Sequence, residues 1–361
     1  MRGQDAQRRA DPAHTPAEEA SLRRLTVVVL DWNLPDHTVR CVRSLIGDGV
    51  PAERVVVVEN GPSEENWSRI SAELSGCVLV RIRANVGFAR GMNVGAAALP
   101  GDAYMLVNND AFLHRPGSVA ALVAALGRDR VGIVAPRLLN PDLSTQASVV
   151  PFTRPLAAFV RASGLSRFLP NSWQPRLSTH WDHGSSRVVP AAIGPVLLVA
   201  GRLWDVLEGF RESAFMYAED IDLCWRASDL GWRTWFEADA EFLHLEGASS
   251  DRRWSVAERS ARVARAEAEM IRSRLSRPRA AAAIAFMRLG LAVRARYFAL
   301  VGDDQAAASC RGSLLGLSRP EPHEPVPDAP VEIVPPRTTD PAVGRSAARQ
   351  EIADRGPGGS G

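Results

Sequence analysis

Residues 25–61 decide the fold class: Leu25-Thr-Val-Val-Val-Leu30 ends in Asp31-Trp32-Asn33, and Val55-Val-Val-Val58 ends in Glu59-Asn60-Gly61. Each apolar run is continuous and rich in β-branched residues, as a strand buried on both faces requires. Between them, Asp36 to Ile46 reads as a helix with Val39, Val42, Leu45 and Ile46 on one face and Asp36 as its N-cap. Strand, helix and strand in this spacing form the pattern of a parallel α/β sheet. Ligands collect at the carboxyl ends of such strands, so polar residues that close each run carry more weight than polar residues elsewhere. Glu59 is one of them.

Further along the chain the pattern repeats. Val78 to Ile82 reads as a strand and leads into Arg83-Ala-Asn-Val-Gly-Phe-Ala-Arg-Gly-Met-Asn-Val-Gly95. Gly87, Gly91 and Gly95 recur every fourth residue, along one helical face, interleaved with Asn85, Arg90 and Asn93. The spacing matches neither a dinucleotide fingerprint nor a P-loop. It suits close helix packing and ligand contact equally. Tyr104 to Val107 is a short strand closed by Asn108-Asn109-Asp110. A hard cation carrying a nucleotide diphosphate would bind at such a turn through carboxylate and phosphate oxygens, although these residue types are common in any turn.

Val119–Leu126 and Gly201–Leu207 read as helices, and Val131–Ala135, Ile193–Ala200 and Arg233–Phe236 as strands. From about Asn140 to Pro190 periodicity fails, and a long irregular insertion is expected, of the kind that carries an acceptor site. In Ala214-Phe-Met-Tyr-Ala-Glu-Asp-Ile-Asp-Leu-Cys-Trp-Arg226, Glu219, Asp220 and Asp222 fall at a helix start. Acids there suit the helix dipole; the sharper reading makes one of them a general base beside a sugar-binding cleft. His244 follows the last apolar run as a phosphate or metal contact would, or as a half-buried edge residue.

Composition narrows the field. The 361 residues are 46% apolar, ample for a core. A net charge of +2 gives no electrostatic case for nucleic acid. All 43 basic residues are Arg, a bias best read as GC-rich coding. Cys41, Cys77, Cys224 and Cys310 are too scattered for a zinc site or a disulfide framework. Residues 1–24 lack the apolar core of a signal peptide or spanning helix and are expected to be a disordered arm. Residues 251–317 read as a helical extension. Within it Ala280–Val301 is apolar but interrupted by Arg288, Arg294 and Arg296, too charged to span a membrane. It suits peripheral contact with an anionic membrane, packing on the catalytic domain, or a homodimer. Residues 318–361 are rich in Pro, Gly and acids and are expected to be disordered.

Together these residues resemble the inverting family 2 glycosyltransferases of the GT-A fold, in their rhamnosyltransferase-like branch. The resemblance covers about Thr26 to Ser250 and rests on five ordered blocks: Val27–Asn33, Val55–Gly61, Asn85–Gly95, Leu106–Asp110, and Phe215–Arg226 with the later His244-Leu-Glu-Gly-Ala-Ser249. It implies a Rossmann-like, mainly parallel sheet flanked by helices over residues 25–250. It implies Asp220 as the base, Asp110 and His244 on a divalent metal (Mg²⁺ or Mn²⁺), and Glu219 and Asp222 on the acceptor side. Asn33, Glu59, Asn60, Asn85, Gly87, Arg90, Asn93, Asn108 and Asn109 would face the nucleotide-sugar donor. Three positions depart from the family pattern: Glu59 where Asp is usual, Asp31 where Asn is usual, and Arg211 where Asp is usual. The implied activity is sugar transfer, L-rhamnose from dTDP-rhamnose first, to a cell-surface glycan or polyprenyl-linked precursor at the inner face of the plasma membrane. A galactofuranosyl or other hexosyl transferase using a UDP-sugar, and a non-catalytic glycan-binding member of the fold, stay open.

Overall fold

The structure, a computed structural model, describes residues 24–152, 155–163, 168, 183–212, 218–245, 254–318, 327 and 329–337. Half of its central sheet is parallel: β1 (Leu25–Asp31), β2 (Val55–Asn60), β3 (Val78–Ile82) and β4 (Ala103–Asn108), ordered β3-β2-β1-β4. Every residue of β1, β2 and β3 is buried, which is why their sequences are apolar without alternation. Helices α1 (Pro35–Gly47), α2 (Glu64–Glu73) and α3 (Phe88–Ala98) connect them. Helix α1 starts one residue before the expected N-cap, with Pro35 in its first turn and Asp36 already helical. Proline suits that position because its missing N–H has no helical partner anyway.

Glycine spacing is explained by packing. A Cβ on Gly91 would lie 2.6 Å from Leu30, and one on Gly95 2.4 Å from Val28 and 2.7 Å from Val58. These two glycines let α3 lie directly on β1 and β2. Gly87 precedes the helix at φ +83°, a conformation that favours glycine.

The second half of the sheet is mixed. After β5 (Ala111–Leu113) and α4 (Ser118–Leu126) come β6 (Val131–Leu139), β7 (Val149–Val150), α5 (Pro155–Ser163), β8 (Arg187–Val189), β9 (Ala191–Ala192) and β10 (Val196–Ala200). Helices α6 (Gly201–Leu207) and α7 (Glu219–Asp229) lead to β11 (Arg233–His244). Strand β10 runs antiparallel between β4 and β6, and β11 pairs parallel to β6 and antiparallel to β5. Strand β11 runs past the expected Phe236 to His244, with its register to β6 shifted between Glu237 and Glu241. That irregularity breaks the alternation and hides the strand's second half.

Two expectations are corrected. The segment from Asn140 to Pro190 is not uniformly irregular: β7, α5 and β8 lie within it. Strands of two and three residues are too short to show a period, and α5 is held by tertiary packing against a later helix. The tail after Ser318 is not wholly without structure. Val331–Val334 forms β12, antiparallel to β3 at the sheet edge. Its side chains are mostly exposed, so backbone pairing holds it and no buried face marks it in the sequence. The expected arm at 1–24 lies outside the described residues except for Arg24.

The helical extension consists of α8 (Val256–Arg274), α9 (Arg277–Leu300) and α10 (Asp304–Ser318). A capping box between Ser255 and Glu258 starts α8. Among the described residues no helix is long and apolar enough to cross a membrane.

Candidate active site

Parallel pairing sets Asp31 beside Glu59 and Leu30 beside Asn108, so three strand ends meet at one edge. Asp31 is fully buried. One of its oxygens accepts from Thr38 Oγ1 and from Asn109 Nδ2 at 3.0 Å, and the other has no hydrogen-bond partner among the described residues. Burial raises its pKa above the ordinary carboxylate range. Glu59 is likewise buried and pushed up to about 8, first by desolvation and then by the Asp31 charge, with Arg81 opposing from 3.7 Å. Among the described residues its Oε2 makes the 3.7 Å ion pair with Arg81 and no hydrogen bond, and the side-chain oxygen of Asn108 has no hydrogen-bond partner. Unpaired buried acceptors at neighbouring strand ends are costly unless a ligand completes them.

Several of the asparagines serve the protein itself. Asn60 accepts from Val86 N at 2.9 Å and donates to Gly87 O at 3.2 Å, clamping the loop that starts α3. Asn85 accepts from Gly87 N at 3.0 Å. Asn93 accepts from Phe210 N and donates to Phe210 O and Glu212, each at 2.9 Å, so its amide fixes the 209–212 turn. Asn109 ties Asp31 to α1 through Thr38. Asn33, at φ +53°, accepts from Asn66, and Arg90 reaches Pro327 O at 3.4 Å.

Strand β5 turns back from Asp110 and pairs with β11, placing His244 opposite Ala111. His244 Nε2 lies 3.5 Å from Asp110 Oδ1, and both residues are buried. On the other side of the ring, Nδ1 meets Gln146 Oε1 at 2.9 Å. With that oxygen accepting from Nδ1–H, the lone pair of Nε2 faces the carboxylate. This is the outer-sphere arrangement that orients metal-ligating histidines. Among the described residues no cluster of three or more His, Cys, Asp or Glu side chains is assembled. Asp110 and His244 would therefore hold a divalent ion as two protein ligands, with diphosphate and water oxygens completing the set. Gln146 carried no signal in the sequence, since it sits in the stretch without periodicity.

Helix α7 brings the acids to the same edge. Ala218, at φ +67°, precedes it in a strained left-handed conformation. Asp220 accepts from Gly194 N and from Ile221 N, both at 2.7 Å. Beside Gly194, Pro195 O accepts from Asn108 N at 2.8 Å, so one short turn connects Asp220 to the Asn108-Asn109-Asp110 cluster. Burial raises the Asp220 pKa; the backbone N–H groups partly offset it. Glu219 is pushed up to about 8 by burial and then by the Asp220 charge, and its Oε2 is enclosed with no hydrogen-bond partner among the described residues. Burial, more than a neighbouring charge, makes Asp220 basic. Asp222 faces elsewhere. It accepts from Arg226 at 2.8 Å and from Arg274 Nε and NH2 at 2.8 and 2.7 Å, with Arg211 3.8 Å away. That engagement spends its carboxylate on the junction between α7 and α8.

A family model described as Glycosyltransferase like family 2 matches residues 23–266. An N-acetylglucosaminyl-diphospho-decaprenol L-rhamnosyltransferase of Mycobacterium tuberculosis is 29% identical over 246 residues, covering 63% of this chain and 78% of its own. Among solved structures, the mannosyltransferase PcManGT of Pyrobaculum calidifontis, in complex with GDP-Man and Mn²⁺, superposes with a TM-score of 0.53. It is 16% identical, and the alignment covers 82% of this chain and 87% of that one. This likeness shows the shared GT-A architecture. The family match spans more than half of the sequence and settles membership: the chain belongs to glycosyltransferase family 2 and is a glycosyltransferase.

Proposed function

We propose that the chain is a metal-dependent, inverting enzyme that transfers L-rhamnose from dTDP-rhamnose to a polyprenyl-linked glycan precursor. The observation that carries this reading is the Gly194-Pro195 turn, which joins Asp220 to the strand end bearing Asp110 and His244. Inverting transfer needs a proton acceptor at the attacking hydroxyl and positive charge at the departing diphosphate, on opposite faces of the sugar. A divalent ion at Asp110 and His244 would supply that charge. Asp220, its rotamer fixed by two backbone N–H groups, accepts the acceptor's proton. Its raised pKa makes it a stronger base than an exposed carboxylate. Glu219, above neutrality in pKa, keeps its proton and adds no second charge beside it. Asp31 and Asn108 present acceptor oxygens without a hydrogen-bond partner among the described residues, with Glu59 beside them, to the N–H edge of a pyrimidine base and its ribose. The rhamnose donor and lipid-linked acceptor are supported by the mycobacterial relative's activity.

Purified protein is assayed for nucleotide release across a panel of sugar nucleotides with Mg²⁺, Mn²⁺ or EDTA, beside Asp110→Ala. Metal-dependent release of dTDP from dTDP-rhamnose, lost with EDTA and in the variant, is the expected result. Release of UDP from a UDP-hexose reassigns the donor. Failure of every donor to bind by calorimetry overturns the catalytic reading in favour of a glycan-binding role.

A further inference from the structure

On α9, Phe286, Leu289, Val293, Tyr297 and Leu300 recur at spacings of three and four residues and are between 42% and 87% exposed. The spacing aligns them in one stripe about 20 Å long. Phe286, where the stripe begins, meets Phe159 of α5 edge to face at 6.0 Å, and the helix is seated by a neighbouring face. Ala283, Met287 and Gly290, about a quarter-turn around the helix, are buried, and a Cβ on Gly290 would meet the backbone of Ser163 at 2.6 Å. Helix α9 thus sits flush on α5 and turns large apolar side chains outward.

Charge identifies what covers them. From Arg277 to Leu300 the helix carries Arg277, Arg279, Arg288, Arg294 and Arg296 and no carboxylate. Arg288 and Arg296 are exposed on the outward half of the helix. A partner with an apolar interior and an anionic surface satisfies both features, whereas a second copy of α9 would set arginine against arginine. We propose that the outer face of α9 docks on an anionic lipid bilayer, lying in its interface without crossing it.

The position relative to the active site fits this use. Ile193, next to the Gly194 that binds Asp220, donates from its N–H to Ser148 O at 2.9 Å. From Ser148 the chain passes through β7 to α5, where Phe159 meets Phe286 edge to face at 6.0 Å. One short segment connects the surroundings of Asp220 to the docking helix, so an acceptor held in the bilayer would be presented to the base. That last consequence rests on the lipid-linked acceptor proposed above; the docking face does not.

Flotation of the full-length protein is measured with phosphatidylglycerol–phosphatidylcholine vesicles and with phosphatidylcholine alone, without donor or acceptor. The protein is expected to float with anionic vesicles only, and less at high salt. Leu289→Asp with Val293→Asp, at exposed positions, is expected to reduce the bound fraction about tenfold or more. Arg288→Glu with Arg296→Glu is expected to cost about fivefold per arginine. Both variants keep the wild-type circular dichroism and donor hydrolysis. No flotation, or equal flotation of all variants, overturns the proposal. So does a dimer in sedimentation that Leu289→Asp with Val293→Asp converts to monomer, since a second copy then covers the stripe. Because no sugar chemistry enters the assay, its failure is separable from failure of the donor panel.

Discussion

Asp220 and Asp222 stand two positions apart on the same helix and have opposite surroundings. Among the described residues Asp220 accepts from the backbone N–H groups of Gly194 and Ile221, and burial raises its pKa. Asp222 is enclosed by the guanidinium groups of Arg226 and Arg274. A buried carboxylate with no cation beside it favours its protonated form, whereas the Asp222 carboxylate is taken up in holding two guanidinium groups. The contrast teaches that the motif supplies acids, while distant segments set the surroundings of each. Arg274 comes from the helical extension, so the extension takes part in fixing the helix that carries Asp220.

The largest effect should come from the first of the pair. Asp220→Asn is expected to lower kcat by about 10²–10⁴ while leaving donor affinity and urea stability near wild type. If kcat survives, Asp220 is not the base and the comparison breaks.

Asp222→Ala should do the reverse. It removes the carboxylate shared by buried Arg226 and half-buried Arg274, and unfolding in urea is expected to show a loss of about 3 kcal/mol, the low end for a broken buried pair because Arg226 keeps Leu207 O and Gly209 O and Arg274 keeps Asp229. The folded fraction should retain most of its turnover. A loss of kcat equal to that of Asp220→Asn, at unchanged stability, would place both acids in the chemistry.

The smallest effect sharpens the comparison through pH. The Glu219 pKa is raised from 4.5 to about 8 in the folded chain, so between those values the folded state holds a proton that the unfolded state has released. Stability is therefore full below pH 4.5 and falls as pH rises through 8. Glu219→Gln should flatten that part of the melting-temperature profile. It should also remove any inflection of kcat near pH 8 while keeping the rise that belongs to Asp220.

The parallel half of the sheet was legible because strands buried on both faces are written as unbroken apolar runs, as in β1 and β2. Strand direction in the second half was not, since β10 reads the same apolar way whether it runs with β4 or against it. The acids of α7 and the pair Asp110 and His244 could be named from spacing and resemblance. Their partners could not: Gln146 reaches His244 across 98 residues, and Arg274 reaches Asp222 across 52. Residue type could not show the protein partners of Asn93 and Asn109, because an asparagine clamping a turn and one facing a ligand look identical until backbone partners are known. The glycine repeat was equally ambiguous until Leu30, Val28 and Val58 were seen against it.

Strand β12 bears on how the protein behaves outside its reaction. By pairing with β3 it covers the open edge of a sheet whose strands β1, β2 and β3 are buried along their whole length. A chain cut after Ser318 would present the bare N–H and C=O groups of β3 to any passing strand, and self-association through that edge is its most direct outcome. Shortening the Pro-rich tail to improve handling would then yield a protein that precipitates.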